Sequence, residues 1–96
     1  MKKFVLLSCG YETPTKEIMD AWNSWFASIG DSIVDPGNPL GPGREITSSG
    51  TKDLPHDLDA VTGYMIINAE NIDEAENIAK ECPLITSIRV YEAMPM

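Results

Sequence analysis

Apolar positions follow strand spacing in three stretches of the chain. A continuous apolar run at residues 3–8 predicts a first strand that is covered on both faces or nearly so. Residues 63–68 contain the run Met65-Ile66-Ile67, and a short run of bulky and β-branched residues favours a central strand over a helix. Apolar and polar residues alternate over 86–91, which predicts a last strand with one covered face.

Helical spacing begins soon after the first strand. Thr13 is a suitable N-cap and Pro14 suits the first helical position, so we predict a helix that runs to residue 29, with Gly30 as its left-handed C-cap. Its apolar stripe consists of Ile18, Trp22, Trp25 and Ile29, widened by Met19, Ala21 and Phe26. Such a broad face predicts burial against the sheet together with a pocket or a partner subunit.

A second helix is predicted directly after the central strand. Asn71 is a suitable N-cap, and Glu74 three residues later completes a variant of the capping box. Pro83 ends the helix. The predicted apolar face consists of Ile72, Ala75, Ile78, Ala79 and Cys82.

The middle of the chain lacks such periodicity. Residues 31–35 predict a short second strand around Ile33 and Val34. Three prolines and three glycines follow within residues 36–44, which excludes regular structure there. A brief strand is possible at 45–47, whereas 51–60 is polar. We therefore predict that residues 36–59 form an irregular, mobile loop over the mouth of any pocket.

The order strand–helix–strand, strand–helix–strand predicts a ferredoxin-like βαββαβ domain spanning residues 1–96. Right-handed crossovers place both helices on one face of a four-stranded antiparallel sheet. The other face then has no helix to cover it, although two strands are almost continuously apolar. Pairing of two sheets face to face in a homodimer is the physical solution that we expect.

Charge and cysteine content narrow the classes of partner. The formal net charge of −8 opposes binding to nucleic acid or to an anionic membrane. Four apolar residues after Lys2-Lys3 are too few for a signal peptide, so we expect a cytoplasmic protein. Cys9 and Cys82 have no neighbouring Cys or His at metal-ligand spacing, which predicts buried free thiols and no metal site. We expect no cofactor.

Several short motifs occur in an order that resembles a known family. The first half contributes Gly30-Asp31, Ile33-Val34 and the Gly/Pro loop; the second contributes Gly63-Tyr64, Asp73-Glu74-Ala75, Cys82-Pro83 and Ile88-Arg89-Val90. Together they resemble the YCII-related (DGPF-domain) family of the dimeric α/β-barrel superfamily. The resemblance implies a homodimer of ferredoxin-like protomers with a pocket between the first helix and the sheet.

The chain departs from that family at two places. The family's Asp-Gly-Pro-Phe loop should fall between residues 50 and 63, where this sequence has GTKDLPHDLDAVTG. Relatives are suspected of using a histidine on the first helix with an aspartate after the second strand. The predicted first helix contains no histidine, and Asp35 alone stands at a plausible position.

Three residues are candidates for acid–base chemistry, each with a structural alternative. Asp35 could be a general base at the end of a strand, or a turn residue before Pro-Gly. His56, the only histidine, titrates in the right range, but a lone loop histidine is more often simply exposed. Tyr64 could offer its hydroxyl to a pocket or pack with that hydroxyl satisfied.

Four further residues are candidates for ligand binding. Trp22 and Trp25 could line a pocket, although residues of an apolar helical stripe more often belong to the core. Asn38 could contact a ligand or serve turn chemistry. Arg44 could bind a carboxylate or phosphate, or form a surface ion pair.

Two classes of function remain open. The first is a small-molecule-binding or accessory module without chemistry of its own, which the absence of a histidine on the first helix favours. The second is a small cofactor-free lyase or isomerase that uses Asp35 with His56 or Tyr64. The fold cannot decide between them, because one fold hosts many functions.

Overall fold

The structure, a computed structural model, describes residues 1–95. Its elements occur in an order that contains the predicted βαββαβ pattern with one additional hairpin. They are β1 (Lys2–Cys9), α1 (Lys16–Ser28), β2 (Ile33–Asp35), β3 (Gly43–Thr47), β4 (Gly50–Leu54), β5 (Val61–Ala69), α2 (Ile72–Lys80) and β6 (Ser87–Ala93).

Four of the strands form one sheet in the order β2–β5–β1–β6, and each adjacent pair is antiparallel. The two central strands are the first strand and the strand predicted to be central. A register shift between Ser8 and Cys9 leaves Thr62 of β5 unopposed, which is a β-bulge at the end of the sheet nearest the loops. The ferredoxin-like fold predicted from the sequence is confirmed.

Both helices lie on the same face of this sheet, because residues from both belong to one buried cluster with every second residue of β1 and β5. That cluster consists of Phe4, Leu6, Trp25, Met65, Ile67, Ala69, Ala75, Ala79 and Cys82. The alternate residues point to the opposite face and are half-buried or exposed: Val5, Leu7, Val34, Tyr64, Ile66 and Tyr91. No helix of residues 1–95 covers that second face.

Helix α2 follows its prediction closely. The Asn71 Oδ1 atom accepts a hydrogen bond from the Glu74 backbone N–H at 2.9 Å, so the predicted N-cap is confirmed. Ala75 and Ala79 are buried, and their short side chains let α2 approach β1, β5 and β6 closely. Ile72 differs from the prediction, because it stands in the first turn and is 49% exposed.

Helix α1 begins and ends differently from its prediction. Thr15, rather than Thr13, is the N-cap, because its hydroxyl reaches the Ile18 backbone N–H at 3.2 Å. Pro14 therefore precedes the helix instead of opening it. At the other end, the chain enters a single 3-10 turn at Gly30–Ser32, and Gly30 does not adopt the left-handed conformation that we predicted.

The apolar stripe of α1 does not lie flat on the sheet. Trp25 is buried, whereas Ile18, Trp22, Phe26 and Ile29 are half-buried and Met19 and Ala21 are exposed. The Trp25 indole N–H donates to the Ile78 carbonyl oxygen at 3.1 Å. That carbonyl is among the last four of α2, which lack intrahelical partners in a regular helix. Trp25 thus fixes α1 to the C-terminal end of α2.

The prediction of an irregular segment at residues 36–59 was wrong in its centre. Strands β3 and β4 pair in register from Gly43↔Leu54 to Thr47↔Gly50 and form a separate two-stranded hairpin. Cross-strand ion pairs join Arg44 to Asp53 at 3.1 Å and Lys52 to Glu45 at 3.4 Å. All ten strand residues are exposed, so neither face required the apolar alternation that identifies a strand in a sequence.

Candidate functional site

A cleft of about 530 Å³ separates α1 from the sheet, at the place that the family resemblance implied. Its floor comes from β1, β5 and β6, through residues that include Leu6, Ser8, Met65 and Ile88. Helix α1 forms the opposite wall, and the segments 10–14, 36–40 and 56 form the rim. The volume lies within the roughly 300–1,000 Å³ typical of small-molecule sites.

Aromatic rings dominate the α1 wall. Trp22 lies edge-to-face with Trp25 at a centroid distance of 5.6 Å, and Phe26 lies 6.1 Å from Trp22 and 5.5 Å from Trp25. Ring pairs at these distances stabilise one another in tilted and edge-to-face geometries. Because the Trp25 indole N–H is bonded to the Ile78 carbonyl oxygen, the cluster also joins the α1 wall to α2.

The rim at residues 35–40 is a tight turn. The Gly37 backbone N–H donates to Asp35 Oδ1 at 2.8 Å, so the carboxylate stabilises the turn. Gly37 has φ +71°, and a Cβ atom there would lie 1.7 Å from the Tyr64 carbonyl oxygen, which makes glycine necessary at this position. Pro39 then bridges to Gly63, and this pairing holds the turn against the end of β5.

Tyr64 and Asn38 meet at this rim. The Asn38 Nδ2 atom donates to the Tyr64 hydroxyl at 3.3 Å in an exposed position. Alternation along β5 directs the Tyr64 side chain to the face opposite Met65. Tyr64 therefore borders the cleft from the side, and its hydroxyl already has a partner.

His56 and Tyr11 form another part of the rim. Their ring centroids are 4.1 Å apart at an interplanar angle of 62°. The backbone supports this arrangement, because the Tyr11 N–H donates to the Asp57 carbonyl oxygen at 2.9 Å and the Gly10 N–H donates to that of Ala60 at 2.7 Å. The His56 Nδ1 atom is buried and has no hydrogen-bond partner within residues 1–95.

The structure brings most of the candidate residues to one cavity. The cleft is lined by Trp22, Trp25, Asn38, His56 and Tyr64. Asp35 and Arg44 are not among the lining residues: Asp35 holds the turn, and Arg44 pairs with Asp53 in the exposed hairpin. The arrangement favours the structural alternatives for these two residues. Of the Asp35–His56 pair that an enzymatic mechanism would use, only His56 lines the cleft.

Tyr11 is a cleft residue that the sequence analysis missed. It precedes α1 in a stretch without periodicity, and its partner His56 is distant in the chain. The one local indication is Gly10. It has φ +109°, and a Cβ atom added there would lie only 2.6 Å from Thr86 Oγ1. A glycine confined in this way marks a close approach of chain segments, and that approach places Tyr11 at the cleft.

The two cysteines are buried and free, as predicted. Burial raises the pKa of the Cys82 thiol from 9.0 to about 11, because desolvation disfavours the thiolate; its backbone hydrogen bond opposes this weakly. A thiol with so high a pKa is a poor nucleophile. Within residues 1–95, no group of three His, Cys, Asp or Glu side chains is arranged to hold a metal ion. No helix in that range is long and apolar enough to span a membrane.

No family model and no curated protein sequence matches the chain. A solved structure does resemble it: 5-chloro-2-hydroxyhydroquinone dehydrochlorinase (TftG) from Burkholderia phenoliruptrix AC1100, in complex with 2,5-dihydroxybenzoquinone. The TM-score is 0.59 at 18% sequence identity, over 96% of this chain and 93% of that chain. The likeness shows a shared fold. Membership of the YCII-related family and of the dimeric α/β-barrel superfamily stays a prediction.

Proposed function

We propose that this protein is a homodimeric small-molecule-binding module of the YCII-like kind, with its ligand in the cleft between α1 and the sheet. The observation that carries the proposal is the cleft itself. A chain of 96 residues has a modest core, yet about 530 Å³ between its first helix and its sheet is not filled by side chains. A concave, largely apolar cleft of this size is the usual place for a small molecule to bind.

The lining indicates the kind of molecule. Aromatic and aliphatic side chains make up most of the cleft wall, and a few polar residues, among them Asn38, His56 and Tyr64, also line it. Small-molecule sites commonly combine these two features. The solved neighbour binds 2,5-dihydroxybenzoquinone, a single six-membered ring with oxygen substituents, which supports a ring-sized ligand here.

The test is a titration with benzyl alcohol, monitored by NMR of the two indole N–H signals. We expect saturable shifts of the Trp22 and Trp25 signals, because both rings line the cleft. Replacing Trp22 by alanine should weaken binding about tenfold, since a buried aromatic contact contributes about 1–1.5 kcal/mol. The control is Ile46→Ala, which removes a 79%-exposed side chain from the hairpin and should leave the affinity unchanged. Equal losses in the two variants would contradict binding in the cleft.

The proposed dimer uses the sheet face that lies opposite the helices. Apolar side chains on β1 and β5 are half-buried there without any covering helix in residues 1–95. Light scattering at micromolar concentration should give about twice the 10.5 kDa mass of the chain. Ile66→Lys on this face should yield a folded monomer, whereas Ile46→Lys on the exposed hairpin should stay dimeric. A wild-type monomer would overturn the dimer. We also infer a cytoplasmic location, which fits two buried thiols that are not joined.

A cofactor-free lyase or isomerase is the second candidate, and the position of His56 favours it. His56 is one of the residues that line the cleft, and an imidazole there can exchange a proton with a bound molecule. Mass spectrometry of a bound ligand before and after incubation distinguishes the two functions. Turnover that His56→Gln abolishes would establish the enzyme, and an unchanged ligand would favour the binding module.

A further inference from the structure

Ser8 interrupts a row of apolar side chains on the floor of the cleft. The residues of β1 that face the helices are Phe4, Leu6 and Ser8, because they occupy every second position of the strand. Phe4 and Leu6 are buried in the core, whereas Ser8 is half-buried and lines the cleft. A hydroxyl group thus stands where the pattern of the strand would otherwise continue with an apolar residue.

The other half-buried polar residues of the lining are bonded already or lie at the rim. The Thr62 hydroxyl donates to the Gly10 carbonyl oxygen at 2.8 Å. The Tyr64 hydroxyl accepts from Asn38 Nδ2 at 3.3 Å. His56 belongs to the rim, and its Nδ1 atom is buried. Ser8 is the remaining member of this set, and it lies on the floor.

The Ser8 hydroxyl is accessible from the cleft. The Ser8 carbonyl oxygen accepts from Thr62 Oγ1 at 3.5 Å, whereas the Ser8 Oγ atom has no hydrogen-bond partner within residues 1–95. In the same part of the chain, His56 Nδ1 is the one buried side-chain nitrogen or oxygen that lacks a partner. The Ser8 Oγ atom is therefore not buried, and a hydroxyl can both donate to and accept from a bound molecule.

Gly63 leaves space beside this hydroxyl. It is paired with Ser8 across β1 and β5, and a Cβ atom added to it would lie 3.8 Å from Ser8 Oγ. That distance is an ordinary contact, and Gly63 is not among the glycines with a positive φ, so neither its neighbours nor the bulge at Thr62 requires glycine. A glycine inside a strand weakens the strand and often marks a site that a ligand approaches closely.

The end of the sheet holds this pair of residues in place. The hydrogen bond from Thr62 Oγ1 to the Gly10 carbonyl oxygen ties the bulge of β5 to the end of β1. On the other side of β5, Pro39 bridges to Gly63, and the Leu40 N–H donates to the Thr62 carbonyl oxygen at 2.8 Å. A ligand therefore meets a floor that is already ordered, which lowers the cost of binding.

From these observations, and resting on the proposed function of the cleft, we infer that Ser8 and Gly63 form a polar subsite on the floor that receives a hydroxyl or carbonyl oxygen of the ligand. The oxygen occupies the space that a side chain at position 63 would fill, and it hydrogen-bonds to Ser8 Oγ. The ring of the ligand lies against the aromatic wall of α1. The cleft thus takes small rings with an oxygen substituent that points toward β1 and β5.

Benzyl alcohol and toluene, two probes of similar size, test the role of the Ser8 hydroxyl when both are titrated by NMR of the indole N–H signals. Ser8→Ala should weaken the binding of benzyl alcohol about fivefold, because one hydrogen bond is lost. It should leave the affinity for toluene unchanged, since toluene has no hydrogen-bonding group. The matched control is Ser87→Ala, which removes the hydroxyl of a half-buried β6 residue outside the cleft lining and should change neither affinity.

Gly63→Ala tests the space beside Ser8. The added methyl group makes only ordinary contacts, so the melting temperature should not fall. The same methyl group occupies the place of the ligand's oxygen, so benzyl alcohol should bind about fivefold more weakly. The matched control is Gly30→Ala, because a Cβ atom there has no other atom within 4 Å and Gly30 does not line the cleft. That control should keep the full affinity.

The outcomes separate the subsite from the function of the cleft. Equal affinities of wild type and Ser8→Ala for benzyl alcohol, or an equal loss of benzyl alcohol and toluene binding in that variant, would overturn the hydrogen bond to Ser8. A lower melting temperature of Gly63→Ala, or an unchanged affinity, would remove Gly63 from the subsite. Failure of both probes to bind the wild type would reject the proposed function itself, and this inference with it.

Discussion

The two helices pack on the same face of one sheet in opposite ways. Helix α2 presents small side chains, Ala75 and Ala79, and its backbone comes close to three strands. Helix α1 presents large rings, of which only Trp25 is buried. Two helices that the sequence describes with the same apolar periodicity therefore have different tasks: α2 completes the core, and α1 encloses a cleft.

Side-chain size accounts for the difference. An alanine surface allows an interaxial approach that bulky residues prevent, so α2 excludes solvent from the sheet along its length. The rings on α1 contact one another and the end of α2, and Trp25 is the one α1 residue among the buried members of the core cluster on the sheet. The space that remains is the cleft. Four experiments test this contrast, from the largest expected effect to the smallest.

Overpacking α2 should be the most damaging change. Ala75 is fully buried, so Ala75→Leu forces side chains or the helix to move and should lower the free energy of unfolding by about 3 kcal/mol. Ala21→Leu adds the same atoms to an exposed position of α1 and should change it by less than about 0.5 kcal/mol. Urea denaturation measures both. Equal costs would mean that α1 packs as tightly as α2.

Removing the link between the helices should have the next largest effect. Trp25→Phe keeps an aromatic ring but leaves the Ile78 carbonyl without the indole N–H, which should cost about 2 kcal/mol. Trp22→Phe keeps a ring in the same cluster and breaks no such bond, so its cost should be less than half as large. Hydrogen exchange at the C-terminal end of α2 should accelerate only in Trp25→Phe. Equal exchange in the two variants would contradict the link.

The burial of the Cys82 thiol should make the stability of the protein depend on pH in alkaline solution. The Cys82 thiol has a pKa of about 11 when folded and 9.0 when exposed, so the unfolded chain loses its proton first as the pH rises. The contribution of the protonated Cys82 thiol to the free energy of unfolding is therefore full below pH 9. It decreases above pH 9 and is about 1 kcal/mol smaller at pH 10.

The measurement compares wild type with Cys82→Ala, because tyrosines and lysines titrate in the same range. The difference between the two unfolding free energies should be constant below pH 9. Above pH 9 the wild type should lose stability relative to Cys82→Ala. A constant difference up to pH 10.5 would mean that water reaches this thiol.

The rim of the cleft should give the smallest effect. Asp35→Asn keeps the oxygen that accepts the Gly37 N–H, so stability should fall by less than about 0.5 kcal/mol. Affinity for benzyl alcohol should change less than twofold, because Asp35 does not line the cleft. Asp35→Ala removes the acceptor and should cost about 1 kcal/mol. Loss of binding in Asp35→Asn at unchanged stability would restore Asp35 as a functional group.

The sequence was sufficient to predict those elements that bury one face, because such burial produces a periodic pattern of apolar residues. Strand β5 and helix α2 each have one buried face, so apolar spacing and the Asn71 cap placed them within a few residues. The hairpin β3–β4 has no buried face, and its strands left no pattern to detect. The N-cap of α1 was placed wrongly because two threonines flank Pro14. Only the structure shows which of their hydroxyls accepts a hydrogen bond from a backbone N–H of the helix.

The candidate site could be predicted only in part for a related reason. Periodicity placed Trp22 and Trp25 on one stripe, but the distance between α1 and the sheet follows from packing in three dimensions. The contact between Tyr11 and His56 joins distant segments through backbone hydrogen bonds, which no local motif encodes. Asp35 was singled out because it ends a strand, yet the local turn uses the same carboxylate.

The hairpin β3–β4 has a consequence for protein engineering. The chain leaves the sheet where Leu40 N–H donates to the Thr62 carbonyl, and it returns where Ala60 accepts from Gly10 N–H, so both ends are fastened at the same end of the sheet. The four charged residues of the hairpin between them pair with one another, and no hairpin residue belongs to the core. A reporter domain or a peptide tag of chosen length can take the place of residues 44–53 there, in a chain whose termini stay untouched.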